Sequence, residues 1–198
     1  LIQRFDKPMF IVGSSGVESA LCAHWRQSGR IAGARRFEPP GDAGPVVAVC
    51  GSCSPVTAGQ IRHALEHGFA EVSDLSDASR AVGQATAALR TGQSVVIHSQ
   101  RADASAAGTV GATLGRILRQ VLAQTHARRV LVAGGDTSGQ VAQALGIESM
   151  EMIAELTRGS PLCRATAPGS PADGLQITFK GGQIGKQDFF TFVRDGKG

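Results

Sequence analysis

Short apolar runs alternate with longer amphipathic stretches along most of the chain. Five runs rich in β-branched residues predict strands at 9–14, 46–51, 94–98, 129–133 and 175–180. Apolar residues spaced by three and four predict helices at 17–27, 57–67, 78–90, 106–126 and 137–145. We expect residues 188–190 to anchor a terminal helix in the core. Gly, Pro and Arg dominate 30–45, which we interpret as a loop.

The order of these elements indicates the fold class. Strand and helix alternate throughout, which is typical of an α/β domain with a mostly parallel sheet and helices on both faces. The run VVAVCG at 46–51 does not alternate with polar residues, so we expect that strand to be buried on both sides. In such sheets ligands bind beyond the carboxyl ends of the strands, so the loops that follow the strands are the place to look.

Length and composition restrict the class of protein. The chain has 198 residues, 42% of them hydrophobic, enough to bury the core of one or two domains. No apolar run approaches the roughly 20 residues of a membrane helix, and within this sequence no basic leader precedes an apolar segment. Together with four cysteines and no export signal, this predicts a cytoplasmic protein with no membrane partner. Because the first residue is Leu1, we expect a piece of a longer polypeptide.

Charge and glycine content favour a small anionic ligand. The net charge is +4, but basic residues are not clustered, and the chain has no Tyr and one Trp. We therefore expect no nucleic-acid partner, which would prefer a basic stripe with aromatic residues to stack on. A modest positive excess fits a small anion. The 26 glycines of 198 residues, against a usual share of about 7%, indicate turns where the backbone approaches something closely.

Two strand-to-helix turns have the same pattern. The stretches 47–65 and 130–145 both run from a buried strand through a glycine turn into T-[AS]-G-Q-[IV]-x-x-A-L. Thr57 precedes Gln60, and Thr137 precedes Gln140, by the three residues of a capping box. Free N–H groups at such a helix start favour phosphate or carboxylate, and the alternative is that both helices are simply well capped.

The second of these turns is the stronger candidate for phosphate contact. Gly134 and Gly135 remove side chains where a polyphosphate would lie against the main chain, so we expect contact along Gly134, Gly135, Asp136 and Thr137. Asp136 follows a buried strand, where its carboxylate either holds a Mg²⁺ that bridges phosphates or accepts from nearby amides.

Two further loops contribute candidates. Ser52 and Ser54 place hydroxyls in the turn after 46–51, either for a nucleotide or for bonds within the turn. Gly181 and Gly182 follow the strand at 175–180 and again permit close approach. Lys180 either offsets phosphate charge or is an ordinary solvated lysine.

Other motifs are incomplete. No Walker A loop and no G-x-G-x-x-G fingerprint is present. The sequence His63–His67 reads H-x-x-E-H, the pattern of inverted zincins, but no third ligand is apparent, and we expect no metal site there. Cys50 and Cys53 form a lone C-x-x-C without the helix position of a redox pair or the second pair of a zinc site.

Three ordered motifs carry a resemblance. GSCSPVTAGQI (51–61), AGGDTSGQVAQALGI (133–147) and FKGGQIGKQDFF (179–190) resemble the C-terminal nucleotide-binding domain of the four-carbon acid sugar kinases. The opening FIVGSSGVESAL is similar to the start of that domain, so the resemblance covers about 9–192. It implies that the whole chain, 1–198, is this domain without an N-terminal domain that binds the sugar acid.

The resemblance also implies an activity and a set of contacts. The activity is ATP-dependent, Mg²⁺-assisted phosphorylation of a hydroxyl of a four-carbon sugar acid. The ATP contacts fall on Ser52 or Ser54, on Gly134, Gly135, Asp136 and Thr137, and on Gly182. The family usually has Glu in place of Asp136, and Ser-Gly-Asn-Phe-Gly in place of 181–185.

The same resemblance limits what this chain does alone. It leaves the catalytic base to the absent domain, so we expect the chain to bind ATP or ADP weakly and to phosphorylate nothing by itself. Whether it forms a homo-oligomer stays open. Two alternatives remain, a non-catalytic nucleotide-binding module and a phosphosugar-binding module.

Overall fold

The structure, a computed structural model, describes residues 10–33, 35–99 and 107–196. The chain divides into two compact units, Leu1–Arg36 and Phe37–Gly198. In the first unit, helix α1 spans Ser15–Gln27, two residues longer at its start than predicted. No residue of α1 is buried, and Phe10 and Val12 are exposed.

The strand predicted at 9–14 is wrong for its described residues. Residues 10–14 form neither a strand nor a helix, and residue 9 lies outside the described part. Apolar, β-branched composition favours a strand only where a neighbouring strand pairs its N–H and C=O groups. The sheet of the second unit does not include this segment.

The second unit is built on one seven-stranded sheet in the order β2-β3-β1-β4-β7-β6-β5. The strands are β1 (Val47–Cys50), β2 (Ala70–Val72), β3 (Val95–His98), β4 (Arg129–Ala133), β5 (Ser149–Thr157), β6 (Ser160–Thr166) and β7 (Gln176–Lys180). The helices are α2 (Pro55–Glu66), α3 (Ala78–Arg90), α4 (Ala107–Gln124), α5 (Gly135–Leu145) and α6 (Phe189–Asp195). None of the described helices is long and apolar enough to cross a membrane.

The fold class predicted from the sequence is confirmed. Strands β2, β3, β1, β4 and β7 are parallel neighbours, and β6 and β5 extend the sheet as antiparallel strands. Val47 and Val49 pack with α3, α4 and α5, whereas Ala48 and Cys50 pack with α2 and α6. Because successive strand residues point to opposite faces, covering both faces with helices requires an unbroken apolar run.

The sequence pattern missed three strands. β2 has three residues, which is too short for a periodic signal. β5 lies at the edge of the sheet, where its exposed residues Glu151 and Glu155 interrupt any apolar run. β6 pairs with it across the turn at 158–159 and contains Pro161 and Arg164. Short length therefore hides β2, and polar residues or proline hide β5 and β6, from a search for buried apolar runs.

Candidate functional site

Three glycine turns meet at the carboxyl edge of the parallel strands. We call them the β1 turn (51–54), the β4 turn (134–137) and the β7 turn (181–182). Because β1, β4 and β7 are adjacent and parallel, their carboxyl ends lie at one edge of the sheet. Gly51 N–H donates to the Ala133 carbonyl at 3.1 Å, and Gly134 N–H donates to the Lys180 carbonyl at 3.0 Å. The backbone therefore ties each turn to the next.

Gly134 stands at the centre of this edge. Its φ of +124° is one that residues with a side chain rarely adopt. A Cβ there would lie 2.9 Å from the Thr137 hydroxyl and 3.2 Å from the Ser52 nitrogen. Gly134 therefore brings the β1 and β4 turns into close contact, which only glycine permits.

Gly182 makes the matching approach from the other side. A Cβ at Gly182 would lie 2.5 Å from the Ser52 hydroxyl oxygen and 2.8 Å from the Ser54 Cβ. The structure thus brings together five of the residues predicted from the sequence: Ser52, Ser54, Gly134, Thr137 and Gly182. Gly135 and Asp136 follow in the first turn of α5, where both are exposed.

The predicted capping boxes are wrong at both helices. Helix α2 begins at Pro55, and its cap is Ser54, whose hydroxyl oxygen accepts from Val56 N–H at 3.2 Å. Helix α5 begins at Gly135, and its cap is Gly134, which offers no side chain. Both helices start two residues earlier than predicted, so Thr57 and Thr137 are the third helical residues rather than caps.

The uncapped start of α5 leaves hydrogen-bond donors free. Ser138 N–H makes the first bond of the helix, to the Gly134 carbonyl at 2.9 Å. Within the described part of the chain, no group accepts from the N–H groups of Gly135, Asp136 or Thr137. Unpaired donors and the positive end of the helix dipole make such a start suited to an anion.

Thr57 and Gln60 fasten the β7 turn and the loop that follows it. The Thr57 hydroxyl donates to the Gly182 carbonyl at 2.9 Å. The Gln60 amide donates to the carbonyls of Ile184 and Lys186 at 3.0 and 2.8 Å. Both side chains are fully buried. From the sequence we predicted that Thr57 and Gln60 form a helix cap. The repeated T-x-G-Q pattern marked both residues as special, but it did not show that they bond to the β7 turn and the loop after it.

Lys180 lies beneath the β7 turn with 1% of its surface exposed. Its ammonium donates to the Thr57 hydroxyl at 3.1 Å, and the Gly182 carbonyl is 3.5 Å away. The alternative of a solvated lysine is therefore wrong. Burial lowers the pKa of Lys180 below the ordinary lysine value, and the neighbouring Cys50 opposes this shift. Burial raises the pKa of the Cys50 thiol to about 12, so this thiol stays neutral.

A separate cavity of about 700 Å³ lies between β5, α6 and the segment at 37–40. Phe37, Phe189 and Phe192 contribute to its apolar wall. Its charged lining residues are Glu38, Glu155, Asp188 and Lys186, so acidic groups outnumber basic ones. None of the predicted site residues lines this cavity, and its charge does not suit a phosphate compound.

The H-x-x-E-H motif and the C-x-x-C motif of the sequence have no assigned chemistry in the structure. Ligand atoms of His63, Glu66 and His67 lie within 4.8 Å of one another. The two imidazole rings are stacked at 3.9 Å with an interplanar angle of 28°, and His67 Nδ1 lies 2.7 Å from the His63 carbonyl oxygen. Cys50 is buried and Cys53 is exposed, and both are free thiols.

The fold and the turns define an α/β domain that presents backbone donors to an anion at the carboxyl edge of its sheet. A family model described as a nucleotide-binding C-terminal domain matches residues 47–190, which is most of the chain. The chain belongs to this family, the four-carbon acid sugar kinases, as the sequence motifs indicated.

Several relatives support this membership. A 3-oxo-isoapionate kinase of Paraburkholderia graminis is 41% identical over 96% of the chain and 47% of its own length. A 3-oxo-tetronate kinase of Pseudomonas savastanoi is 31% identical over 93% of the chain and 46% of its own length. The chain thus spans about half the length of these relatives.

A solved structure supports the fold. A Bordetella bronchiseptica protein described as a domain of unknown function superposes with a TM-score of 0.67 at 24% identity. The match covers 78% of this chain and 41% of that protein, which crystallised as a domain-swapped dimer with bound citrate.

Proposed function

We propose that this chain is the ATP-binding half of a kinase that phosphorylates a hydroxyl of a four-carbon sugar acid. The observation that carries the proposal is the start of α5, where the N–H groups of Gly135, Asp136 and Thr137 are free and Gly135 meets nothing within 4 Å. The relatives named as 3-oxo-tetronate and 3-oxo-isoapionate kinases support the reaction class.

The three turns supply complementary contacts to the phosphates. In the β4 turn, Gly134 and Gly135 let the tail lie against the main chain, and the Thr137 hydroxyl has no protein partner within the described residues. In the β1 turn, the Ser52 and Ser54 hydroxyl oxygens accept amide bonds at 3.2 Å, which leaves each hydroxyl proton to donate to a ligand. Gly182 closes the other side of this arrangement.

Asp136 fits the requirements of a magnesium ligand. Its carboxylate is exposed in the first turn of α5, and within the described residues no protein group bonds to it. Mg²⁺ in such sites takes one or two carboxylates together with substrate phosphates. Asp136 would therefore hold Mg²⁺, which would neutralise charge on the phosphate oxygens during transfer.

The requirements of phosphoryl transfer indicate which tasks belong to this chain and which belong to another part of the protein. Catalysis consists mainly of positioning the two reactants and stabilising charge on the phosphates. The three turns perform the second task and hold one of the two reactants. We assign no catalytic base to the described residues. In this proposal the base and the sugar-acid site come from a part of the protein outside this chain, so the chain alone binds Mg·ATP weakly and has no turnover.

The substitution Gly135→Val tests the site. Gly135 has open space around its Cβ position, so a side chain there leaves the fold intact but occupies the place of the phosphates. Gly139→Val is the matched control, because Gly139 lies one turn later in the same helix, is exposed and also has nothing within 4 Å. Valine has a higher helix propensity than glycine, so helix propensity penalises neither variant.

The measurement is calorimetric titration of the 198-residue chain with Mg·ATP. We expect Gly135→Val to lose most of the affinity and Gly139→Val to retain it, at equal thermal midpoints. Equal affinities in the two variants would remove the α5 start as the phosphate site. Ribose 5-phosphate competing with Mg·ATP as strongly as ADP does would favour a phosphosugar-binding module instead.

A further inference from the structure

Among the described residues of the second unit, two cationic side chains are almost fully buried, in different surroundings. Arg129 and Lys180 are each 1% exposed. The Arg129 guanidinium makes four hydrogen bonds, to the carbonyls of Pro40, Gly41 and Val193 and to the Gln176 side chain. Burial lowers the pKa of Arg129, and the opposite charge of Asp42 counters this shift. The protein itself therefore satisfies this cation.

Lys180 has far less support. Its ammonium has three protons to donate but one close acceptor, the Thr57 hydroxyl at 3.1 Å, and one distant acceptor, the Gly182 carbonyl at 3.5 Å. Within the described residues, no carboxylate forms an ion pair with it. The neighbouring Cys50 thiol is neutral, because burial raises its pKa to about 12.

Helix α2 makes this position still less favourable for a cation. Thr57 is the third residue of α2, so the Lys180 ammonium lies at the positive end of that helix dipole. A buried charge without an opposite charge destabilises a fold unless some other group compensates it. We therefore expect Lys180 to lower the stability of the ligand-free protein.

The position of Lys180 places its charge close to the proposed phosphate site. It is the last residue of β7, directly before the β7 turn, and its ammonium lies under Thr57 and Gly182. The phosphate groups of the proposed function would lie on the outer side of the same turns. In a region of low dielectric constant, opposite charges on the two sides of a turn attract strongly even without contact.

We propose that Lys180 is a positioning residue that acts as the buried counter-charge to the phosphate groups of a bound nucleotide, from beneath the β7 turn. This inference rests on the proposed function. It assigns the lysine a role without ligand contact: its charge attracts the phosphate groups across the β7 turn, and it is fully compensated only when the anion is bound. Lys180 therefore lowers the stability of the free protein and raises its affinity for the nucleotide.

Lys180→Met tests both effects, because methionine has a similar shape without the charge. We expect the thermal midpoint of the ligand-free chain to rise by a few degrees. We expect the affinity for Mg·ATP to fall at least tenfold, whereas the affinity for adenosine, which lacks phosphates, does not change. A lysine with a merely structural role would instead lower the midpoint and affect both ligands alike.

Lys186→Met is the matched control, since Lys186 is exposed on the following loop and loses the same charge. We expect it to change neither the midpoint nor the affinities beyond error. A midpoint for Lys180→Met at or below that of Lys186→Met would overturn the inference, as would an unchanged affinity for Mg·ATP.

Inorganic triphosphate separates failure of the inference from failure of the proposed function. If the wild-type chain binds triphosphate but not Mg·ATP, the nucleotide proposal fails, while a selective loss of triphosphate binding in Lys180→Met still supports the counter-charge. If Mg·ATP binds equally to the wild type and to Lys180→Met, the counter-charge is wrong and the proposed function stands. If no phosphate compound binds, both are wrong.

Discussion

The starts of α2 and α5 share a T-x-G-Q pattern but are used differently by the fold. At α2, Ser54 caps the helix, Pro55 occupies its first position, and Thr57 and Gln60 bond to the β7 turn and the loop after it. At α5, the cap is Gly134, three N–H groups are free, and the Thr137 hydroxyl has no partner within the described residues.

The difference arises from what lies in front of each helix. The chain after β7 crosses the start of α2, and Gly182, Ile184 and Lys186 accept the bonds of Thr57 and Gln60. No described segment makes such bonds to the first turn of α5. One turn therefore works as a scaffold and the other presents donors. Similar local sequence does not by itself indicate which of the two a turn becomes.

Among the variants that test this comparison, we expect Gly134→Val to have the largest effect. At a φ of +124°, a β-branched residue is strained by about 1–3 kcal/mol and would contact Thr137 and Ser52. We expect lower stability in urea and no detectable binding of Mg·ATP by calorimetry. Gly146→Val is the control, because Gly146 ends the same helix with a φ of +68°. That variant should lose stability and keep its affinity, and a similar affinity in both variants would contradict the prediction.

Thr57→Val and Thr137→Val test the comparison because we expect the first to lower stability and the second to lower affinity for Mg·ATP. Thr57→Val removes the bond to Gly182 and the acceptor for Lys180, so we expect a loss of about 1–3 kcal/mol in the free energy of unfolding. Thr137→Val removes no bond within the described residues, so we expect unchanged stability and about tenfold weaker Mg·ATP binding. Urea denaturation and calorimetry measure the two quantities, and equal stability losses would show that the turns do not differ as described.

The smallest effect concerns the side-chain cap that α2 has and α5 lacks. Ser54→Ala removes the bond from Val56 N–H and should cost about 1 kcal/mol of stability, measured by urea denaturation. Ser138→Ala is a suitable control on α5, because the Ser138 hydroxyl bonds to the Gly134 carbonyl without capping a free N–H. Greater destabilisation by Ser138→Ala than by Ser54→Ala would contradict the prediction that the Ser54 cap contributes more to stability.

The sequence by itself determined the alternation of strand and helix and the positions of the glycine turns. Runs such as RVLVA at Arg129–Ala133 must be buried on both faces, and that requirement shows directly in the composition. The sequence also indicates close approach of the backbone at Gly134 and Gly182, because a residue without a side chain can be recognised from the sequence alone.

The tertiary structure alone decided how the turns are used. Strand order placed β7 beside β4 and the β7 turn beside the start of α2, so Thr57, expected to be a cap, bonds to the β7 turn instead. The same arrangement buried Lys180, which the sequence left open between solvent and phosphate. The physical reason is that caps, buried charges and edge strands such as β5 depend on contacts between residues distant in sequence, and local pattern does not contain them.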